Sequence, residues 1–251
     1  RTDIAQPGIL TTSVAILRVL SEQGLDLAAA SMTSGLSLGE YTALWVAGSI
    51  EFPDALRLVR LRGEAMQAAS ELAPSGMTSL MGAKPEQAEA VAAVGAKVGV
   101  CQVANMNAPG QIILSGEISA LEAAEAAARE HGVRRTRRLV VAGGFHSECM
   151  RPAADRLAAA LADVSITPPR IPFVSNVTAA PTENPEAIRK QLADQICSPV
   201  LWEKSMRWAL DNGTHQFLEP GPGTVLAGLM AKIDKEAIVV SRARPADLEG
   251  S

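Results

Sequence analysis

Apolar residues fall at helical spacing in "TTSVAILRVL" (residues 11–20), and Gly24 closes the run, so the first predicted element is a helix. The small residues of "AAASMTS" predict a short buried strand leading into "SGLSLGEYTAL". "GEYTALWVAGSI" predicts a buried helix, and "PDALRLVRLRGEAMQAASEL" a charged one with Pro53 in its first turn. The pattern then changes character. "GMTSLMGA" reads as a strand, "PEQAEAVAAV" as a helix, and "VGVCQVANMNAPGQIILSGE" as two strands around Ala108-Pro109-Gly110. "ISALEAAEAAAREHG" follows as a helix and "VRRTRRLVVAG" as a strand. This β-α-β-β-α-β order predicts a ferredoxin-like small subdomain over residues 75–141, inserted into a larger unit of residues 1–74 and 142–251. In that unit "ECMRPAADRLAAALADV", "NPEAIRKQLADQI", "PVLWEKSMRWALDNG" and "TVLAGLMAKI" predict helices, and "IPFVSNVT" and "HQFLEPGPG" strands. The alternation on both sides of the insert predicts an α/β class with a mainly parallel, α/β-hydrolase-like sheet.

Composition narrows the function classes. With 251 residues, 47% of them hydrophobic, the chain can bury a sizeable core. A net charge of −4, without a basic run of nucleic-acid or polybasic-membrane type, predicts neither nucleic acid nor membrane as partner. No apolar run is read as membrane-spanning, and no signal-peptide pattern opens the sequence. Cys101, Cys149 and Cys197 stand singly, without the spacing of a disulfide framework or a zinc site; no metal is expected, and a reducing compartment is.

Ser37 lies between Gly35 and Gly39, the spacing of a sharp strand-to-helix turn whose apex side chain faces a helix N-terminus. Such a serine can attack a carbonyl, because nearby backbone N–H groups receive the developing oxyanion. The same spacing also fits an ordinary glycine-flanked loop. Of the three histidines, His131 reads as a helix-end residue and His215 as a turn residue, whereas His146 follows an apolar strand and two glycines. Strand ends of α/β sheets are where catalytic groups collect, which makes His146 the candidate base. Arg62 shares a helix with Arg57 and Arg60 and, read alone, is one more charge on a solvated face.

Several stretches together resemble the malonyl-CoA:acyl-carrier-protein transacylase family, related to the acyltransferase domains of fatty-acid and polyketide synthases. "GLSLGEYTAL" is similar to its nucleophile motif, "LVRLRGEAMQAA" to its arginine segment, "VANMNAPGQIILSG" to its inserted-domain signature and "GGFHSECMRPAADRL" to its histidine motif. "SPVLWEKSMRWALDNG" and "FLEPGPGTVLAGL" resemble its C-terminal blocks. The resemblance implies that Ser37 takes a malonyl group as an ester and that His146 is the general base, oriented by a backbone carbonyl. It implies Gln195 beside that carbonyl and Arg62 as the clamp on the malonyl carboxylate. It also implies the Leu38 N–H as an oxyanion donor and Asn105, Asn107 and Gln111 as polar groups facing the cleft, although these three also suit turn positions. Phe145 resembles the version of the motif that goes with malonyl rather than methylmalonyl groups.

The implied reaction moves malonyl from malonyl-CoA to the phosphopantetheine thiol of holo acyl carrier protein in fatty-acid biosynthesis. No cofactor is expected, and coenzyme A is a substrate. Arg134, Arg135, Arg137 and Arg138 are candidates for docking the acidic carrier. The expected location is cytoplasmic, or an organellar matrix such as plastid or mitochondrion. Two departures stand out. The family places a strand and a G-Q-G loop ahead of "AQP"; this sequence begins at Arg1, so a trimmed chain lacking that N-terminal strand is expected. Leu36 stands where the family often has histidine. The alternatives are a serine esterase or thioesterase with the same turn, an acyltransferase of polyketide synthesis, and a non-catalytic interaction module.

Overall fold

The computed structural model describes residues 1–248. Helix α1 (Thr2–Glu22) extends beyond its apolar run, because Gln6 and Ser13 share its buried face with Leu10, Val14 and Leu17. Contrary to the sequence reading, this helix is long and apolar enough to span a membrane. Here it lies along α3 (Phe52–Leu72), and Leu10 and Val14 enter the main core with Leu58 and Val59. Between them, α2 (Gly39–Val46) starts at the Ser37 turn. A Cβ on Gly35 would lie 2.0 Å from the Gly39 carbonyl carbon, so the turn can close only around glycine there.

The middle of the chain forms the expected β-α-β-β-α-β series. Its elements are β1 (Ser75–Ala83), α4 (Pro85–Gly95), β2 (Cys101–Ala108), β3 (Gly110–Glu117), α5 (Ile118–Ala127) and β4 (Arg135–Arg138). The strands make one antiparallel sheet in the order β2-β3-β1-β4. Leu80, Val103 and Leu114 of the sheet meet Val91 of α4 and Leu121 of α5 in a core of their own. β4 is shorter than the run "VRRTRRLVVAG". After Leu139 the chain leaves the sheet, Val140 is fully exposed, and Gly143 passes so close to Ser70 that a Cβ would sit 2.3 Å from its Oγ.

The remainder comprises α6 (Arg151–Ala162), α7 (Pro185–Asp194), α8 (Trp202–Asp211), β5 (Gln216–Pro220), α9 (Val225–Ile233) and β6 (Ile238–Arg242). The mainly parallel sheet is a correction. Among the described residues parallel pairing is confined to β5–β6 and to single bridges at Thr33–Phe173 and Asn105–Val200. In "AAASMTS" the Asp26 carboxylate accepts the Ala28 N–H and starts a 3₁₀ turn, leaving Thr33 alone to pair. In "IPFVSNVT" the chain folds back after two residues, with Val174 bridging Pro181. The β-branched run behind β6 went unread as a strand. The four-stranded sheet joins the C-terminal part of the chain where β2 binds Val200 through Met106 N–H (2.9 Å) and Ala104 O (2.8 Å).

The two glycines of the Ser37 turn should behave differently. Gly35→Ala forces backbone apart and should destabilise by about 3 kcal/mol. Gly39→Ala, whose Cβ would meet nothing within 4 Å, should stay within about 1 kcal/mol of the parent in urea unfolding.

Candidate functional site

Ser37 sits in the left-handed region, φ 52°, one residue ahead of the α2 N-cap. Asn176 holds it there. The Asn176 side chain accepts the Ser37 N–H at 2.7 Å and donates to Gly35 O at 2.8 Å, clamping both sides of the turn. The Ser37 N–H is thereby spent, while the Leu38 N–H donates to no group among the described residues. That leaves Leu38 the free backbone donor beside the hydroxyl.

His146 also has a left-handed backbone, φ 57°, in the turn between β4 and α6. Its Nε2 lies 2.9 Å from Ser37 Oγ, and its Nδ1 lies 2.8 Å from the main-chain oxygen of Gln195. A carbonyl only accepts, so Nδ1 carries the proton and Nε2 is the lone-pair nitrogen facing the hydroxyl. Burial, reinforced by the Arg62 charge, lowers the imidazole to about 4, which keeps it neutral at ordinary pH with the Nε2 lone pair free.

Arg62 departs from its neighbours. Arg57 and Arg60 pair with Asp54 and Glu64 on the exposed side of α3, whereas Arg62 is 1% exposed. Its Nη2 donates to Ser37 Oγ and to Gln195 Oε1, both at 2.9 Å, and its Nη1 donates to Gln6 Oε1 at 2.6 Å. Its Nε–H is buried without a partner among the described residues, so the fork has unspent capacity for an anion. Gln195, where α7 passes into a 3₁₀ turn, also donates from Nε2 to Ser37 O (2.9 Å) and to Glu40 Oε2. Glu40 is fully buried, and burial raises its carboxyl to about 7 against the opposing pull of Asn176, Gln195 and Arg62.

Ser37, His146, Arg62 and Gln195 therefore share one hydrogen-bonded centre, with Leu38 beside it. Asn105 and Asn107 lie buried on β2 where it meets Val200; neither hydrogen-bonds to that centre, and Asn107 Oδ1 has no partner among the described residues. Gln111 accepts from Lys232 Nζ at 3.0 Å on the surface. Phe145 packs against the main core. His131 follows α5 in a turn, and His215 is exposed with its carbonyl holding Ile238 N–H.

Residues 1–246 match the family model for the acyl transferase domain. The chain belongs to that family. This acyl transferase domain is 39% identical over 249 residues to the malonyl CoA-acyl carrier protein transacylase of Bacillus subtilis, covering 98% of the chain and 77% of that relative. It is 36% identical to an acyl carrier protein S-malonyltransferase of Vibrio cholerae, with a TM-score of 0.94 over 99% of the chain and 81% of the other. A malonyl-transacylase solved in complex with a type II polyketide acyl-carrier protein is similar at 37% identity and a TM-score of 0.93, over 99% and 80% of the two chains.

Three polar residues of the acyl transferase domain escaped the sequence reading: Gln6, Glu40 and Asn176. Each is a carboxylate or amide side chain set among apolar, small or hydroxyl residues, the pattern of a group buried for its hydrogen bonds. That signal was available in "AQPGIL", "SLGEYTAL" and "FVSNVT".

Proton linkage at this centre has a defined sign. A lowered folded value means that the unfolded chain protonates His146 first, so His146 withdraws stability as pH falls from 6.5 through about 4. Glu40 acts oppositely, its folded carboxyl taking up the proton first between about 7 and 4.5. In NMR of ring-labelled protein, the His146 imidazole should titrate near pH 4.

Proposed function

We infer that the chain is a malonyl-CoA:acyl-carrier-protein transacylase of fatty-acid biosynthesis, working through a malonyl ester on Ser37. The observation that carries the reading is that His146 Nε2 and Arg62 Nη2 both stand 2.9 Å from the same Ser37 oxygen. A malonyl thioester has a carboxylate at one end and the reacting carbonyl at the other. The Arg62 fork takes the carboxylate, exchanging its present contact with Ser37 Oγ for the acyl group, and lays the carbonyl over the hydroxyl. Uncharged acyl groups leave a buried guanidinium without an anion and are rejected.

In the first half-reaction Ser37 Oγ attacks the thioester carbon and its proton passes to His146 Nε2. The Leu38 N–H receives the oxyanion, the carbon–sulfur bond breaks, and His146 returns the proton to the departing coenzyme A thiolate. The second half-reaction runs the same steps backwards with the phosphopantetheine thiol. Gln195 holds the imidazole through its carbonyl and the guanidinium through its amide. The exchange is neutral in electrons and uses only these groups, so the proposal includes no cofactor.

The four-stranded unit, residues 75–141, is proposed as a ferredoxin-like subdomain walling the cleft, with Asn105 and Asn107 on its cleft side. Residues 1–74 and 142–251 are proposed as the catalytic unit. Arg134, Arg135 and Arg137 on the exposed edge near β4 suit an acidic carrier, whereas Arg138 is engaged with Glu125 at 2.9 and 3.0 Å. The type II polyketide complex among the similar structures supports a polyketide carrier as the other acceptor. A reducing, cytoplasmic or organellar setting fits three free cysteines.

Intact-mass measurement after mixing with malonyl-CoA should show one malonyl group on Ser37, released by holo carrier protein and absent with acetyl-CoA. Release to water in place of carrier would make the protein an esterase instead. Arg62→Ala should accept acetyl at a rate within tenfold of malonyl; continued rejection of acetyl removes the clamp. Reversing Arg135 and Arg137 to Glu should raise KM for the carrier roughly tenfold, with no comparable rise for malonyl-CoA.

A further inference from the structure

Glu40 plays no part in the chemistry above, yet it is among the most completely buried polar groups of the chain. Its two oxygens are both acceptors: Oε1 takes the Asn176 main-chain N–H at 2.6 Å, and Oε2 takes Gln195 Nε2. An ionised carboxylate has acceptors on both sides, whereas a carboxylic acid or an amide places a donor on one of them. The charged form therefore decides which way round the Gln195 amide lies. With Nε2 drawn to Glu40 and to Ser37 O, Oε1 is turned to Arg62. The reversed amide would set oxygen against oxygen at Glu40 and N–H against N–H at Arg62. The second arm reaches the nucleophile too, since the Asn176 held by Glu40 accepts the Ser37 N–H.

We propose that Glu40 is a positioning residue that, as a carboxylate, orients Gln195 and Asn176 and through them Arg62 and Ser37 for acyl transfer. This rests on the reading of Ser37 as the acylated nucleophile. The groups around Glu40 are Arg62 of α3, Tyr41 of α2, and neutral Ser175, Asn176 and Gln195 from the other two segments; His146, beyond Gln195, is uncharged above about pH 4. Arg62 favours the carboxylate, burial opposes it, and the balance lies at about 7. As pH falls through that value one acceptor becomes a donor, and transfer weakens.

The test follows malonylation of Ser37 by rapid-quench mass measurement from pH 5.5 to 9, in parallel with the side-chain amide resonances of Gln195. The parent should lose about tenfold in rate per pH unit below the midpoint near 7, and the Gln195 resonances should move with the same midpoint. Glu40→Gln should be about 10- to 100-fold slower at pH 8, with a flat acid limb, unmoved resonances and a thermal midpoint no lower than the parent's. Glu40→Asp should restore the pH dependence. Parental rate and profile in Glu40→Gln overturn the proposal. So does a parent whose Gln195 resonances stay fixed through pH 7, a result that stands even if Glu40→Gln does not fold or Ser37 is never acylated. A parent never malonylated at any pH sinks the transacylase reading instead.

Discussion

A guanidinium taken out of water has to be surrounded by oxygen. Arg62 is that group here, and its three acceptors come from three distant segments: Gln6 on α1, the hydroxyl of Ser37 ahead of α2, and Gln195 after α7. One cation on α3 thus ties together the first helix, the nucleophile turn and the carbonyl that orients the imidazole. Burial does most to keep His146 unprotonated and to raise Glu40; the same charge adds to the first effect and opposes the second, so its influence reaches both groups.

The two reacting side chains occupy strained backbone. Ser37 and His146 both have positive φ without being glycine, a conformation that costs on the order of 1–3 kcal/mol each. Hydrogen bonds to fixed partners hold them, Asn176 at the serine and the Gln195 carbonyl at the histidine. The small sheet adds a brace. Gln102 of β2 accepts the Glu148 N–H at 3.1 Å and donates to Cys197 O at 3.3 Å, linking the segment after His146 to the segment after Gln195. The four-stranded sheet thereby bonds to both segments, although Ser37, Arg62, His146 and Gln195 all lie outside it.

Local pattern sufficed for elements whose stability is local. Helix α3, the strand pair about Gly110 and the order of the inserted unit were all legible, because periodicity and turn residues are written into adjacent positions. The extent of parallel pairing was not, since a run such as "IPFVSNVT" looks like a strand whether its neighbours pair with two residues or with six. Arg62 shows both sides of this within the site. Asp54 and Glu64 stand one turn from Arg57 and Arg60, whereas the positions three and four away from Arg62 are the apolar Leu58, Val59, Ala65 and Met66, a local mark of its buried face. Its acceptor Gln6, 56 positions away, carries no such mark, and the role of Arg62 came from the resemblance of its segment to a family pattern. Glu40 and Asn176 were not legible for a similar reason, since the groups they bond lie far along the chain, Asn176 N–H being 136 positions from Glu40 and Gln195 155.

The partners of Ser37 run along the chain from Arg62 through His146 and Asn176 to Gln195, with the four-stranded sheet between Arg62 and His146. On the ribosome the serine, the arginine and the imidazole emerge in turn, but the carbonyl that aims the imidazole follows only when residue 195 has left the exit tunnel. Until then the nascent hydroxyl is no better a nucleophile than any other serine.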